Sequence, residues 1–148
     1  EEMCKLFYEL YGLPVVCLRY FNVYGERQST EGAYATVIGI FLKQRKLGRP
    51  LTIVGNGNQL RDFTYVGDVV RANVAAMKFK KAVGQLINIG SGTNYSVNEV
   101  AGMIDDKHKF IPSRPGETPV TLADISKAKK LLRWKPQVSL EKWLRKQV

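Results

Sequence analysis

Arg61 and Arg114 are the side chains of this sequence best suited to hold an anion. A guanidinium grips phosphate oxygens through two parallel N–H donors, which a lysine ammonium does not do. Each charge-assisted contact of this kind is worth about 1.5–3 kcal/mol. Arg61 follows the glycine-rich turn Gly55-Asn56-Gly57-Asn58, and Arg114 opens the polar, turn-like Arg114-Pro115-Gly116-Glu117. The Glu117 carboxylate can accept from both hydroxyls of a ribose. Asn22 ends a β-prone run and opens a loop, where its amide can donate to a phosphate oxygen without adding charge. Each residue also has a purely structural reading. Asn22 can satisfy the turn backbone, Arg61 can pair with Asp62 or another neighbour, and Arg114 and Glu117 can form a loop salt bridge.

Other chemistry finds no support. No Gly-x-Gly-x-x-Gly or Gly-x-x-Gly-x-x-Gly fingerprint and no Walker-type phosphate loop occurs. None of the seven tyrosines is followed by a lysine four residues later. One histidine, His108, and two cysteines, Cys4 and Cys17, give no zinc pattern, so no metal site is expected. No catalytic residue is assigned.

At 148 residues, with 45% apolar and 24% charged residues, the chain is expected to form one unit with one core. No apolar run approaches the roughly 20 residues that span a bilayer, and residues 1–5 carry neither a basic nor an apolar leader, so no membrane association and a cytoplasmic location are expected. Cys17, inside Val15-Val16-Cys17-Leu18, reads as a reduced core thiol. The net charge of +10 points to an acidic partner or to a solvated surface. Lysines cluster at Lys78-Lys80-Lys81 and Lys127-Lys129-Lys130-Arg133-Lys135, but no basic run is interleaved with aromatics, which argues against nucleic acid.

The elements that must position these side chains alternate between strands and helices, which predicts an α/β fold. Met3, Leu6, Phe7, Leu10 and Tyr11 predict a helix over 2–11 that stops at Gly12. Residues 15–21 read as a strand buried on both faces. Residues 25–32 read as a loop, 33–47 as a helix, 51–54 and 62–66 as strands. Asp68 reads as the N-cap of a helix to about Lys80, and residues 85–89 as a strand. Ser96-Val97-Asn98-Glu99 fits a capping box, with its helix running to about Asp106. Residues 108–111 and 120–123 read as extended. Ser126 reads as the cap of a helix to about Leu132, and Ser139 as the cap of a last helix running to Val148.

Three segments in this order, Arg19-Tyr20-Phe21-Asn22-Val23-Tyr24-Gly25, Gly55 to Val69 and Arg114-Pro115-Gly116-Glu117, resemble the C-terminal half of the extended short-chain dehydrogenase/reductase family, the NAD-dependent nucleotide-sugar epimerases and dehydratases. The Arg-Pro-Gly-Glu form is most similar to UDP-hexose 4-epimerases. The resemblance implies the C-terminal part of an extended Rossmann-type fold, comprising the remaining sheet strands and a small substrate-binding subdomain. It places the dinucleotide-binding half, with its Tyr-x-x-x-Lys pair, before residue 1. It implies that Asn22, Arg61 and Arg114 hold the diphosphate of a UDP-sugar and that Glu117 takes the ribose. It puts Thr52 to Val54 beside the base, although a short core strand accounts equally well for that segment. Tyr20, Phe21 and Val23 would lie by the nicotinamide of NAD. The chain alone is then not expected to catalyse, and self-association or a partner supplying the other half is expected. A non-enzymatic binding or interaction module is the alternative. The sequence departs from the family pattern at Glu26, Gly67 and Trp143, in a shortened stretch from Ile104 to Phe110, and in a last helix that stops early.

Overall fold

The structure, a computed structural model, describes residues 1–32 and 35–148. The elements run α1 (Glu2–Tyr11), β1 (Cys17–Tyr20), β2 (Val23–Tyr24), α2 (Val37–Lys46), β3 (Leu51–Val54), β4 (Leu60–Asp62), β5 (Thr64–Tyr65), α3 (Val66–Lys78), a 3₁₀ turn (Lys80–Ala82), β6 (Leu86–Ile89), β7 (Asn94–Ser96), α4 (Val97–Ile104), β8 (His108–Ile111), α5 (Ser126–Leu132) and α6 (Leu140–Leu144). The strands pair two by two. β1 runs parallel to β6 with Cys17 opposite Leu86, β2 parallel to β5, and β3 parallel to β8 with Leu51 opposite His108, whereas β4 and β7 are antiparallel. The expected α/β class is therefore observed.

The apolar residues gather in two cores rather than the single one expected from the length. In one, Leu51 and Ile53 of β3 pack with Ile38 and Phe41 of α2, Val100 of α4 and Leu144 of α6. In the other, Ile87 and Ile89 of β6 pack with Ala72 of α3, Ala128 and Leu132 of α5, and Trp134. Two buried carboxylates tie the loops to these cores. Asp62, fully buried, accepts from Ser91 N (2.7 Å), Ser91 Oγ (2.7 Å), Gly92 N (3.0 Å) and Ala123 N (3.1 Å). Gly90 makes this approach possible, since a β-carbon there would stand 2.8 Å from Asp62 Oδ2 and 2.2 Å from Ala123 Cβ. Asp68, also fully buried, accepts from Gln137 N (2.9 Å) and Val138 N (3.2 Å) and pairs with Arg71.

Several expectations need correction. β1 is not buried on both faces: Arg19 and Tyr20 are exposed, because β1 pairs with β6 alone among the described residues. Cys17 is accordingly half-buried. Asp68 does not cap α3. The helix starts three residues earlier, after Tyr65, and the Asp68 side chain turns inward to the C-terminal segment. The strand expected over 62–66 breaks at buried Phe63 into β4 and β5, and β2 and β7 escaped the sequence reading because each is only two or three residues long. Ala33 and Tyr34 lie outside the described residues. The helix placed there begins at Val37, where the Thr36 hydroxyl accepts from Gly39 N (3.1 Å). α4 ends at Ile104, because Asp105 turns out of the helix and its carboxylate accepts from Lys107 N (2.9 Å). Ser126 is the first residue of α5, and the orphan N–H it presents is met by Asp124 Oδ1 at 2.9 Å. Ser139 does cap α6, but the helix stops at Leu144, where the tighter bonds Lys146 N to Trp143 O (3.1 Å) and Gln147 N to Leu144 O (2.8 Å) close it. The capping box is present in full, with Ser96 Oγ accepting from Glu99 N (3.1 Å) and Glu99 Oε2 from Ser96 N (2.6 Å).

Three of the departures from the family pattern meet at one point. Glu26 accepts from Trp143 Nε1 (3.0 Å) and from Tyr65 OH (2.9 Å), and the Tyr65 ring lies against Gly67, where a β-carbon would come within 2.6 Å of it. Tyr24 stacks edge-on against Trp143, with ring centroids 5.1 Å apart. Glu26 thereby joins the loop after β2 to β5 and α6.

Two stability measurements follow. Asp62→Ala leaves donors unpaired in the interior, each costing about 1–3 kcal/mol. Urea unfolding is expected to show a loss of at least about 3 kcal/mol, with a smaller loss for Asp62→Asn. Glu26, held low first by Trp143 and then by Tyr65, Glu99, held low by Ser96, and Glu141, held low by Tyr95, lie below the ordinary glutamate value of 4.5. Carboxyls lowered by folding stabilise fully above their unfolded value and lose that contribution as pH falls through the folded one. The melting temperature is therefore expected to be flat from pH 7 to about 5 and to drop below about 4.5. A melting temperature unchanged down to pH 3 would contradict this.

Candidate functional site

A cleft of about 320 Å³ lies where β3, β4 and the segment after β8 converge. Asn22, Thr52, Val54, Arg61, Arg114 and Glu117, which the sequence reading assigned to one ligand, all line it. They come from stretches up to ninety-odd positions apart, and the pairing of β3 with β8 is what gathers them. The register Val54 opposite Ile111 places the segment bearing Arg114 next to the strand bearing Thr52 and Val54. The shortened stretch before β8 therefore leaves Arg114 at the cleft.

Strand alternation decides the fate of Arg61. Successive side chains of a strand point to opposite faces, so Arg61 faces the cleft while Asp62 faces the interior. The alternative ion pair between these neighbours does not form. Arg61 instead reaches Glu117, with Nη2 3.2 Å from Oε1, and its Nη1 donates to Leu60 O at 2.9 Å. The Arg61 side chain is 14% exposed, and that of Glu117 32%. Arg114 is exposed and forms no ion pair among the described residues. Two guanidinium groups against one carboxylate leave the polar end of the cleft net positive.

Asn22 sits in the left-handed region at φ 29, a conformation asparagine tolerates better than most residues. Its side-chain amide donates to Asp62 O (2.9 Å) and Thr121 Oγ1 (3.2 Å), and its backbone carbonyl accepts from Thr64 N (3.3 Å). Both amide hydrogens are engaged within the protein, so one of these bonds must open before the amide can donate to an anion. Thr52 is held by Gln44, whose Nε2 donates to Thr52 Oγ1 (2.8 Å) and whose Oε1 accepts from Thr52 N (3.0 Å). Ile40, Phe41, Phe63 and Val97 supply an apolar floor.

Tyr20, Phe21 and Val23 do not line this cleft. They lie at and just beyond the carboxyl end of β1. Phe21 and Val23 pack on the second core, and the Tyr20 hydroxyl donates to Asn73 Oδ1 (2.8 Å). Among the described residues, no group of three or more His, Cys, Asp or Glu side chains could hold a metal ion, and no helix is long and apolar enough to cross a membrane.

Sequence reasoning missed Gln59 and Gln44. Gln59 lines the cleft, and its Nε2 donates to Val54 O (3.1 Å) and more distantly to Glu117 Oε1 (3.4 Å). Its position two residues before Arg61, at the entry to β4, was the available signal. Gln44 acts from α2, and nothing in its local sequence points to Thr52.

The chain is 41% identical over its whole length to a putative UDP-glucose 4-epimerase of Methanocaldococcus jannaschii, of which it covers 49%. The structure of the UDP-glucose 4-epimerase of Thermotoga maritima with UDP-glucose superposes with a TM-score of 0.91 at 37% identity, covering 97% of this chain and 48% of that one. The UDP-glucuronic acid 4-epimerase of Bacillus cereus, in complex with UDP-glucuronic acid and NAD, gives a TM-score of 0.87 at 40% identity, covering 97% and 47%. The chain thus spans about half the length of the curated relatives it matches. Residues 1–90 match the NAD dependent epimerase/dehydratase family, and the chain belongs to that family.

Proposed function

We propose that this chain is the nucleotide-sugar-binding portion of an NAD-dependent UDP-hexose 4-epimerase-like enzyme. One observation carries the reading: six residues assigned to a single ligand, four from three separate motifs and two from β3, line one cleft, and two of them are arginines. Arg61 and Arg114 would hold the diphosphate, with Asn22 beside them. Glu117 would accept from the ribose, and Thr52 and Val54 would flank the base over the apolar floor. NAD, when bound, supplies the hydride chemistry. The chain's own contribution to its site would be Tyr20, Phe21 and Val23. In open α/β sheets ligands bind at the carboxyl ends of parallel strands, and these residues stand at and just beyond the carboxyl end of β1. A domain assignment of 1–148 as one substrate-binding unit, without catalysis by this chain alone, belongs to the same proposal, as does a cytoplasmic location.

A second feature supports a partner. α1 buries no residue, and Met3, Leu10 and Tyr11 are 71%, 62% and 72% exposed. β1 keeps an unpaired edge among the described residues. Such a face and edge favour association, with a second copy or with a chain carrying the dinucleotide-binding half. Light scattering is expected to show a dimer or larger species, and a monodisperse monomer at tens of micromolar would contradict this.

Calorimetric titration tests the main reading. UDP and UDP-glucose should bind saturably, whereas GDP should bind more weakly and a short nucleic-acid duplex should not bind. Loss of one charge-assisted contact, about 1.5–3 kcal/mol, predicts roughly 10- to 100-fold weaker binding for Arg61→Ala and for Arg114→Ala. Absence of UDP binding by a demonstrably folded chain would favour the alternative, a non-enzymatic interaction module.

A further inference from the structure

We propose that Cys4 and Cys17 are a reversible thiol–disulfide pair that fastens α1 to β1. The observation is a single contact face. On α1 and its N-cap, Glu1, Cys4 and Tyr8 are spaced three and four residues apart, which puts them on one side of a helix. Each meets a different part of the sheet. Glu1 pairs with Arg19 through two bonds, Nε to Oε1 at 2.8 Å and Nη2 to Oε2 at 2.6 Å. The Tyr8 ring lies over Gly84, 2.5 Å from where a β-carbon would stand. Cys4 falls between them. On β1, Cys17 and Arg19 are two residues apart and so share a strand face. Arg19 therefore aims Cys17 at α1, as Glu1 and Tyr8 aim Cys4 at β1. The two cysteines face one another across a small cleft of about 80 Å³, which both line with Val15, Gly84 and Leu86. Both are free of disulfides and half-buried.

The pair has a structural consequence because α1 is otherwise weakly held. It buries no residue of its own. The Glu1–Arg19 contact is exposed on both sides, and exposed ion pairs contribute little. A covalent link between Cys4 and Cys17 would close a short loop around Gly12 and hold α1 against the strand that leads into Tyr20, Phe21 and Asn22.

The exchange is balanced with a small-molecule disulfide such as oxidised glutathione as the oxidant. Burial, and then the adjacent Cys4, push the Cys17 thiol up, which makes Cys17 the slower nucleophile. The Cys4 thiolate attacks the disulfide, giving a mixed disulfide and releasing one glutathione thiol. Cys17, losing its proton to solvent, then attacks the Cys4 sulfur and displaces the second glutathione as its thiol. Two protein thiols are oxidised and one glutathione disulfide is reduced to two thiols. Excess reduced glutathione reverses both steps.

The test is to equilibrate the full chain with oxidised glutathione, measure its mass, count its thiols after denaturation, and follow amide exchange in α1. The expected product is a monomeric polypeptide two hydrogens lighter with no titratable thiol, restored by reduced glutathione. Exchange in α1 is expected to slow by about tenfold or more. Cys4→Ser and Cys17→Ser should each lose this product and the slowed exchange while keeping the wild-type fold by circular dichroism. If a serine variant fails to fold, the mass and thiol count of the wild type still decide. A stable glutathione adduct, a disulfide between two chains, two thiols surviving at full oxidation, or unchanged exchange in the oxidised form would each overturn the proposal.

Discussion

The buried carboxylate of Asp62 is the constraint on which both the fold and the cleft depend. It is an anion removed from water, which is tolerable only when hydrogen bonds replace its hydration. Four donors do so, from the turn after β6 and from the strand-like segment through Ala123. Because the period of a strand is two residues, fixing Asp62 inward fixes Arg61 outward. The carbonyl of Asp62 then takes the Asn22 amide, and its N–H donates to Thr121 Oγ1 (3.2 Å). One residue thus sets the orientation of a cation in the cleft, the position of the loop that carries Asn22, and the path of the chain after Arg114.

The parts of this arrangement that were legible in the sequence are those written in local chemistry. The Ser96–Glu99 box, the glycine stop at Gly12, and the runs at 51–54 and 108–111 each encode their structure within a few residues, and each appears as expected. The failures share the opposite cause. Asp68 has the side chain of a cap, but tertiary donors at Gln137 and Val138, far along the chain, claim it. The apolar run at 15–21 has the composition of a central strand, yet strand burial depends on neighbours that composition does not reveal. β2 and β7 are too short for any periodicity to register, and exist because β5 and β4 offer them partners.

The cleft was more legible than the fold around it, for a physical reason. Its arginines and carboxylate are marked by side-chain type as well as by place, and the turn residues beside them limit where they can be held. Gln44 shows the limit. It holds Thr52 at both its N–H and its hydroxyl, but a glutamine on a helix is an unremarkable surface residue until the strand it faces is known. Glu26, Gly67 and Trp143 show the same limit from the other side. Read singly they are departures from a pattern. Together they form one junction, with Glu26 bonded to Trp143 and Tyr65 and Gly67 leaving room for the Tyr65 ring, so no one of them is intelligible without the others.

The pair between Arg61 and Glu117 gives the cleft its electrostatic character. Both groups are partly desolvated, at 14% and 32% exposure, so the attraction is stronger than between surface ions but still within reach of water. Glu117 can therefore be displaced by an anion that offers Arg61 more charge and a second oxygen, which a diphosphate does and a chloride or carboxylate does less well. Displacement would not leave Glu117 unpaired, because Gln59 already reaches it from the entry to β4 and a polyol can donate to it. Arg114, with no ion pair of its own among the described residues, adds attraction that no internal carboxylate offsets. In the proposed binding mode the internal pair would act as a selectivity filter, raising the threshold for weak anions and yielding to a ligand that combines a diphosphate with neighbouring hydroxyls.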